Sequence, residues 1–248
     1  MRNVISILPE WLEKPLKHFV KTVYYFGNAR FCPICENSSR RLLQAGSVPR
    51  QDAQCPYCGS LERHRFLWLY LTQRTSFFDG QEKRVLHIAP EPCFESRFRK
   101  RLGKNYLTAD LLNPHAMVKM DVTDIQYPDQ SFDVIYCSHV LEHVQDDRKA
   151  IREFHRVLKA DGWAILLVPV TVEKTAEDPT LTDPKKRLHT FGQEDHLRAY
   201  GPDYVDRLRE AGFDVKTTEV TDLVEKPDAI RMGLTDESGE VYCCTRRV

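Results

Sequence analysis

The sequence predicts an α/β fold: a doubly wound, mostly parallel sheet of seven strands covered by helices on both faces, preceded by a small four-cysteine module. Three observations carry this. From residue 83 onward, apolar runs rich in Val, Ile, Leu and Phe alternate with segments of helical periodicity, the pattern of β-α units that pair in parallel. Several runs are apolar almost throughout rather than at alternate positions, as strands buried on both faces require. Eight cysteines occur in 248 residues, and four of them stand in two CxxC pairs before residue 60.

In chain order, Leu12, Leu16, Phe19, Val20 and Val23 recur at helical spacing with Lys14, Lys17 and Lys21 between them, which places an amphipathic helix in residues 1–28. Such a face covers the rest of the chain or lies on a membrane surface. Cys32-Pro33-Ile34-Cys35 and Cys55-Pro56-Tyr57-Cys58-Gly59 follow, 19 residues apart. Each pair sets two thiolates on a tight turn, and together they supply the four soft ligands of a closed tetrahedral site. Residues 29–60 therefore read as a zinc ribbon, with structural Zn²⁺ on Cys32, Cys35, Cys55 and Cys58. A redox CxxC is the competing reading, but it uses one pair and leaves the other without a role. Ser60-Leu61-Glu62-Arg63 reads as the cap of a helix running to about Arg74. Its Arg63, His64 and Arg65 are either an exposed basic helix start or donors to an acidic ligand group.

Residues 61–248 form the main domain. Arg84–Ala89 is its first strand, followed by a turn with Pro90 and Pro92 and a helix over about Glu95 to Leu102. Tyr106–Asp110, Met117–Asp121 and Phe132–Cys137 are the second to fourth strands, each ending at or near polar residues. A helix over about Asp146 to Leu158 precedes the turn Asp161-Gly162 and a fifth strand, Trp163–Val168. The polar stretch from 171 to 199, with Pro179 and Pro184, is a lid candidate. A helix near Pro202–Ala211 and strands Phe213–Val220 and Val241–Arg246 complete the pattern. Cys137, Cys243 and Cys244 lie in strand-like runs and read as buried small hydrophobes.

In a doubly wound sheet, ligands bind outside the carboxyl ends of the strands at the switch point. That directs attention to His87–Cys93, Asp110, Asp121 and Cys137–His143. Asp110 stands 21 residues after Ala89, the spacing at which a carboxylate reaches ribose hydroxyls. The turn Ala89-Pro90-Glu91-Pro92-Cys93 has no glycine, and Glu91 would oppose a pyrophosphate, which disfavours NAD, FAD and ATP. A nucleoside carrying an ammonium and no phosphate, such as S-adenosylmethionine, fits better.

The segments Val85–Glu91, Asp110, Asp121-Val122, Ser131–Val144 and Arg156–Trp163 together resemble the class I S-adenosylmethionine-dependent methyltransferases, which are Rossmann-like. The resemblance runs from about residue 60 to the C-terminus. A bacterial subset that looks similar also carries the double CxxC and the segment Thr190–His196. The resemblance implies cofactor contacts from His87, Ala89, Pro90 and Glu91 at the methionine end, Asp110 and Leu111 at the ribose, Asp121 and Val122 at the adenine, and Ser138 and His139 beside the sulfonium. The departure is in the first motif, where Ala89, Glu91 and Cys93 replace three glycines. Turn capping is the plain structural alternative for both aspartates.

His139-Val140-Leu141-Glu142-His143 matches the HxxEH zinc-peptidase pattern, but it directly follows a strand, and the resembling methyltransferases share it. His139 then lines the cofactor or acceptor pocket, and His143 caps or packs the next turn. His139, His189 and His196 are the candidate general bases for removing an acceptor proton, with a solvated loop position as the alternative for His189.

Composition bounds the partners. With 36 Lys plus Arg against 36 Asp plus Glu, the net charge is zero. Residues 1–65 hold ten bases and five acids, too small and dispersed a surplus for strong non-specific nucleic-acid binding. No apolar run approaches the roughly 20 residues of a membrane span, and no signal-peptide core is evident, which points to a cytoplasmic protein. The expected acceptor is a small molecule or glycan methylated at oxygen. The alternatives are rRNA or a protein recognised through the ribbon, or a non-catalytic interaction module.

Overall fold

The computed structural model describes residues 10–46 and 48–247. The chain divides into two compact units, Met1–Ser76 with Val220–Ser238, and Phe77–Glu219 with Gly239–Val248. The boundary drawn from sequence at residue 60 thus differs from the compact division by one helix and one distant excursion.

In the first unit, helix α1 (Glu10–Tyr25) forms where the periodicity places it. Residues 1–9 of the expected segment and the side chain of Leu12 lie outside the described residues. Among the described residues of this stripe, Leu16, Phe19, Val20 and Val23 are exposed. Strands β1 (Arg30–Cys32) and β2 (Asn37–Ser39) pair antiparallel, as do β3 (Leu43–Ala45) and β4 (Arg50–Gln54).

Helix α2 (Glu62–Arg74) is capped at Leu61, whose amide donates to His64 Nδ1 at 3.0 Å. Ser60, the expected cap, instead sets its hydroxyl 3.3 Å from Cys32 Sγ and 3.2 Å from Cys58 Sγ. The basic start of α2 is not exposed. Arg65 is fully buried and donates to Met232 O, Ala53 O, Ser60 O and Gly233 O at 2.6, 3.0, 2.8 and 3.0 Å.

Two of those carbonyls belong to the excursion 220–238, which contains the short helix Lys226–Met232. Gly233 closes that helix at φ 60°, where an added Cβ would stand 2.8 Å from Asp52 O and 2.5 Å from Leu42 Cδ1. Only glycine fits there.

The second unit is built on β5 (Val85–Ile88), β6 (Tyr106–Asp110), β7 (Val118–Lys119), β8 (Phe132–Ser138), β9 (Leu158–Leu167), β12 (Phe213–Thr218) and β13 (Val241–Arg246). Their order is β12-β13-β9-β8-β5-β6-β7, with β13 antiparallel to both neighbours and every other pair parallel. This is the expected seven-stranded Rossmann-like sheet. The chain runs outward from β5 through β6 to β7 and then returns to the other side of β5 with β8. The switch point therefore lies between β5 and β8.

Helix α3 (Pro92–Leu102) buries Phe94 and Phe98, stacked with centroids 5.1 Å apart. Full burial of each ring stabilises the unit by about 1.5 to 3 kcal/mol. Helix α4 (Asp147–Val157) starts where Asp146 accepts from Lys149 N at 2.8 Å, and buries Ala150, Ile151, Phe154 and Val157 along one face.

The segment after β9 is less of a loop than its polarity suggests. Strands β10 (Ala176–Glu177) and β11 (Arg198–Ala199) close its base, and helix α5 (Pro184–Phe191) lies between them. Asp183 caps α5 at Lys185 N and Lys186 N, and Gly192 ends it in the left-handed region. These start and stop signals were present in the sequence. Thr171 N donates to Tyr200 O at 2.9 Å, so both ends of the excursion are anchored. Helix α6 (Tyr204–Glu210) then leads into β12.

Candidate functional sites

The two units concentrate different chemistry. In the first, the two Cys-Pro-x-Cys turns are near copies. The amides of Glu36 and Gly59 donate to Cys32 O and Cys55 O at 2.8 and 3.0 Å, and both residues take positive φ, 57° and 74°. The turns bring all four sulfurs within 4.8 Å of one another, with Cys32–Cys58 at 3.6 Å and Cys35–Cys55 at 3.7 Å. With Zn–S bonds of about 2.3 Å, sulfurs at the corners of a tetrahedron stand about 3.8 Å apart. The four residues therefore fit a metal of that size with little movement.

Mutual sulfur hydrogen bonds divide the group. Bonding from Cys32 holds the Cys35 thiol down to about 6 and lowers Cys58 further, while Cys32 and Cys55 are raised. The Arg65 guanidinium lies within electrostatic reach of Cys32, Cys55 and Cys58 and opposes the negative charge a tetrathiolate site carries.

In the second unit, the parallel strands end in a polar edge. Ala89, following β5, adopts φ 49° with its amide on Ala109 O at 2.9 Å. His139, following β8, adopts φ 56° with its amide on Leu167 O, also at 2.9 Å. Two non-glycine residues in this region, one on each side of the switch point, mark strain held at a functional edge.

Between them stands Glu91. Tyr136 donates to its Oε1 at 2.8 Å and His87 Nε2 lies 2.9 Å from its Oε2. His87 is fully buried, and its Nδ1 sits 2.7 Å from the hydroxyl of Tyr106, whose acidity burial suppresses. Tyr106 thus donates to His87 Nδ1, leaving the Nε2 proton for Glu91. His87 acts behind Glu91 rather than at the open edge. The tyrosines went unnoticed in the sequence because their roles depend on register: Tyr136 pairs with His87 across β5 and β8.

Asp110 Oδ1 accepts from Leu112 N and Asn113 N at 2.7 and 2.8 Å, which shapes the loop after β6. Among the described residues these bonds fall on Oδ1. Leu111 beside it is exposed. Asp121 Oδ1 accepts from Thr123 N and Oγ1, both at 2.8 Å, and Val122 is buried. Both aspartates therefore perform the turn capping that was the structural alternative, and Asp110 retains an oxygen beyond it. Pro90 follows Ala89 on the turn, half-buried.

Ser138 is buried, with its hydroxyl 3.1 Å from Nδ1 of the half-buried His139. The HxxEH segment is not an α-helix; Leu141–His143 is a single 3₁₀ turn, so the i, i+4 face is absent. His143 instead pairs with Asp195 at 3.1 Å and meets the ring of His196 edge-on, centroids 4.8 Å apart. His189 lies exposed on α5, outside this group. A cleft lined by Phe77, Lys83, Lys100 and Asn105 opens at the opposite edge, beside the strands' starts, away from these groups.

A doubly wound sheet with this strand order, edged by a ribose-spaced aspartate and an oriented carboxylate, defines the class I S-adenosylmethionine-dependent methyltransferase fold. Residues 73–166 match the family model described as a methyltransferase domain. It is 40% identical over 74 residues to the uncharacterized methyltransferase YcgJ of Bacillus subtilis, covering 30% of this chain and 28% of that protein. Over 94 residues it is 35% identical to phosphoethanolamine N-methyltransferase 3 of Arabidopsis thaliana, covering 38% and 18% respectively. The matched region thus spans less than a third of these relatives. A solved S-adenosylmethionine-dependent methyltransferase from Mesorhizobium loti shares the fold, with a TM-score of 0.51 at 15% identity over 73% of this chain and 98% of that one. Among the described residues, no helix is long and apolar enough to cross a membrane.

Proposed function

We propose that the protein is a cytoplasmic methyltransferase that moves a methyl group from S-adenosylmethionine to an oxygen of a small molecule or glycan, with structural Zn²⁺ on Cys32, Cys35, Cys55 and Cys58. The observation that carries the reading is the carboxylate of Glu91, fixed by Tyr136 and His87 at the switch point. A held carboxylate there repels a pyrophosphate and receives an ammonium.

The bound cofactor supplies a methyl carbon made electrophilic by its sulfonium. The chain's residues bind and orient. Glu91 takes the methionine ammonium, Ala89 and Pro90 shape the turn under it, and Asp110 Oδ2 takes the ribose diol with Leu111 alongside. Asp121 and Val122 flank the adenine, and Ser138 borders the transfer site. His139, beside Ser138, removes the acceptor proton. His196, nearly buried, and His189, exposed on α5, are less directly placed for that step.

The charge of the first unit supports a small acceptor over rRNA. Arg30 pairs with Asp52 and Arg50 with Glu62, so part of the basic surplus is neutralised internally.

The test is calorimetry of S-adenosylmethionine binding with an Asp110→Ala variant alongside. Loss of the ribose hydrogen bonds is expected to cost about 1 to 3 kcal/mol, roughly five- to 150-fold in affinity. An acceptor screen then reads S-adenosylhomocysteine. Absence of cofactor binding by the folded wild-type protein would reject the proposal.

A further inference from the structure

The second unit holds a cluster that methyl transfer as described does not use. One donor atom each from Glu142, His143 and His196 lie within 4.8 Å of one another. Glu142 is 1% and His196 5% exposed. We propose that these three residues bind a divalent transition metal with an open coordination position, at which an acceptor oxygen is held.

The tautomers support it. His196 Nδ1 lies 2.9 Å from Phe191 O, a carbonyl that can only accept, so Nδ1 carries the proton and Nε2 the lone pair. That Nε2 is buried without a hydrogen-bond partner among the described residues, which a native fold tolerates rarely unless something occupies the site. His143 Nδ1 is likewise committed to Asp195 Oδ2 at 3.1 Å, leaving its Nε2 for a ligand. A ligating histidine whose second nitrogen donates to a carbonyl or carboxylate is the usual outer arrangement of a metal site.

The scaffold is rigid where the ligands sit. Leu197 N donates to Glu142 O at 2.8 Å. Arg198, 4% exposed, donates to Leu141 O, Val144 O and Gln145 O at 2.7, 2.6 and 3.0 Å. Its guanidinium thereby locks the turn bearing Glu142 and His143 to the strand beside His196. His143 is the exposed member of the three. Two imidazoles and one carboxylate select Zn²⁺, Co²⁺ or Fe²⁺ over Mg²⁺, and three protein ligands leave a position for substrate.

Glu142 and His143 lie four and five residues beyond the end of β8, on the edge where methyl transfer is proposed. Resting on that reading, the metal would acidify a bound acceptor hydroxyl. Its proton passes to His139, the new O–C bond forms, and the C–S pair leaves with the thioether product.

The test is a Co²⁺ titration of protein brought to one Zn²⁺ per chain, enough for the four cysteines alone, followed by visible absorption, with S-adenosylmethionine affinity measured on the same sample. One Co²⁺ per chain is expected, with d–d bands and without the near-ultraviolet charge transfer of thiolate ligands. His196→Ala and, as an exposed and fold-neutral change, His143→Ala should each abolish it. Asp195→Asn should weaken it about ten- to 100-fold, and His189→Ala should leave it unchanged. Absence of this Co²⁺ signal in folded protein that binds S-adenosylmethionine would overturn the metal site alone. Co²⁺ binding unaffected by both histidine variants would overturn it too. A metal count that stands without cofactor binding would instead overturn the methyltransferase reading.

Discussion

Arg65→Met is expected to unfold the cysteine module and, in zinc-loaded protein, to release the Zn²⁺ proposed there. The side chain is fully buried, and its four hydrogen bonds end on Met232 O, Gly233 O, Ala53 O and Ser60 O. Methionine fills much of the volume but donates nothing, and each buried acceptor left unsatisfied costs about 1 to 3 kcal/mol. Ser60 O keeps its bond from the Cys55 amide at 2.8 Å, and over the other three acceptors even the low end sums to about 3 kcal/mol against a typical domain stability of about 5 to 15 kcal/mol. The positive charge facing Cys32, Cys55 and Cys58 is lost as well. A drop of about 12 to 24 °C in the melting temperature of this unit should follow, with Zn²⁺ lost from zinc-loaded protein on gel filtration. Arg65→Lys separates the two contributions, since lysine restores the charge but not the planar fork that spans four carbonyls. Retained metal with a lowered melting temperature would assign the metal to charge and the fold to the fork. A methionine variant that melts like the wild type and keeps its metal would refute the argument.

Arg65 also shows where sequence legibility ended. The repeated Cys-Pro-x-Cys spacing announced the four-sulfur cluster, and the alternation of apolar runs announced all seven strands, because each is a local pattern with a fixed period. Arg63-His64-Arg65 looked like a basic helix start because nothing local reveals that residues 232 and 233 fold back to meet it. The excursion 220–238 is largely polar, and its seven-residue, glycine-closed helix carries too little periodicity to be seen. The strand edge divides in the same way. Asp110 and Glu91 were legible from their distance past the first strand, whereas Tyr106 and Tyr136 gain meaning only once β5 is flanked by β6 and β8 in register. The meeting of His143 with His196 depends on an excursion of about fifty residues closing on itself, a contact that no spacing rule encodes. The sequence placed His143 in the packing of the turn after the fourth strand, and the short 3₁₀ turn there brings Glu142 and His143 to His196.

Glu91→Gln should weaken S-adenosylmethionine about ten- to 150-fold, because a hydrogen bond to a charged group is worth about 1.5 to 3 kcal/mol. The substitution keeps the shape of the side chain. It removes the negative charge and turns one of the two acceptor positions now used by Tyr136 and His87 into a donor. If Glu91 serves the methionine ammonium, S-adenosylhomocysteine, which has the same ammonium, should lose affinity in parallel. Methylthioadenosine, which has the ribose and adenine but no amino-acid moiety, should bind the variant as it binds the wild type. Asp110→Ala predicts the opposite pattern, an equal loss for all three ligands, since each presents the same ribose. Calorimetry of three ligands on two variants therefore reads the two ends of the site separately. An equal loss of methylthioadenosine in Glu91→Gln would mean that the carboxylate holds the turn between β5 and α3 rather than the ligand, and the assignment of Glu91 to the ammonium would fall.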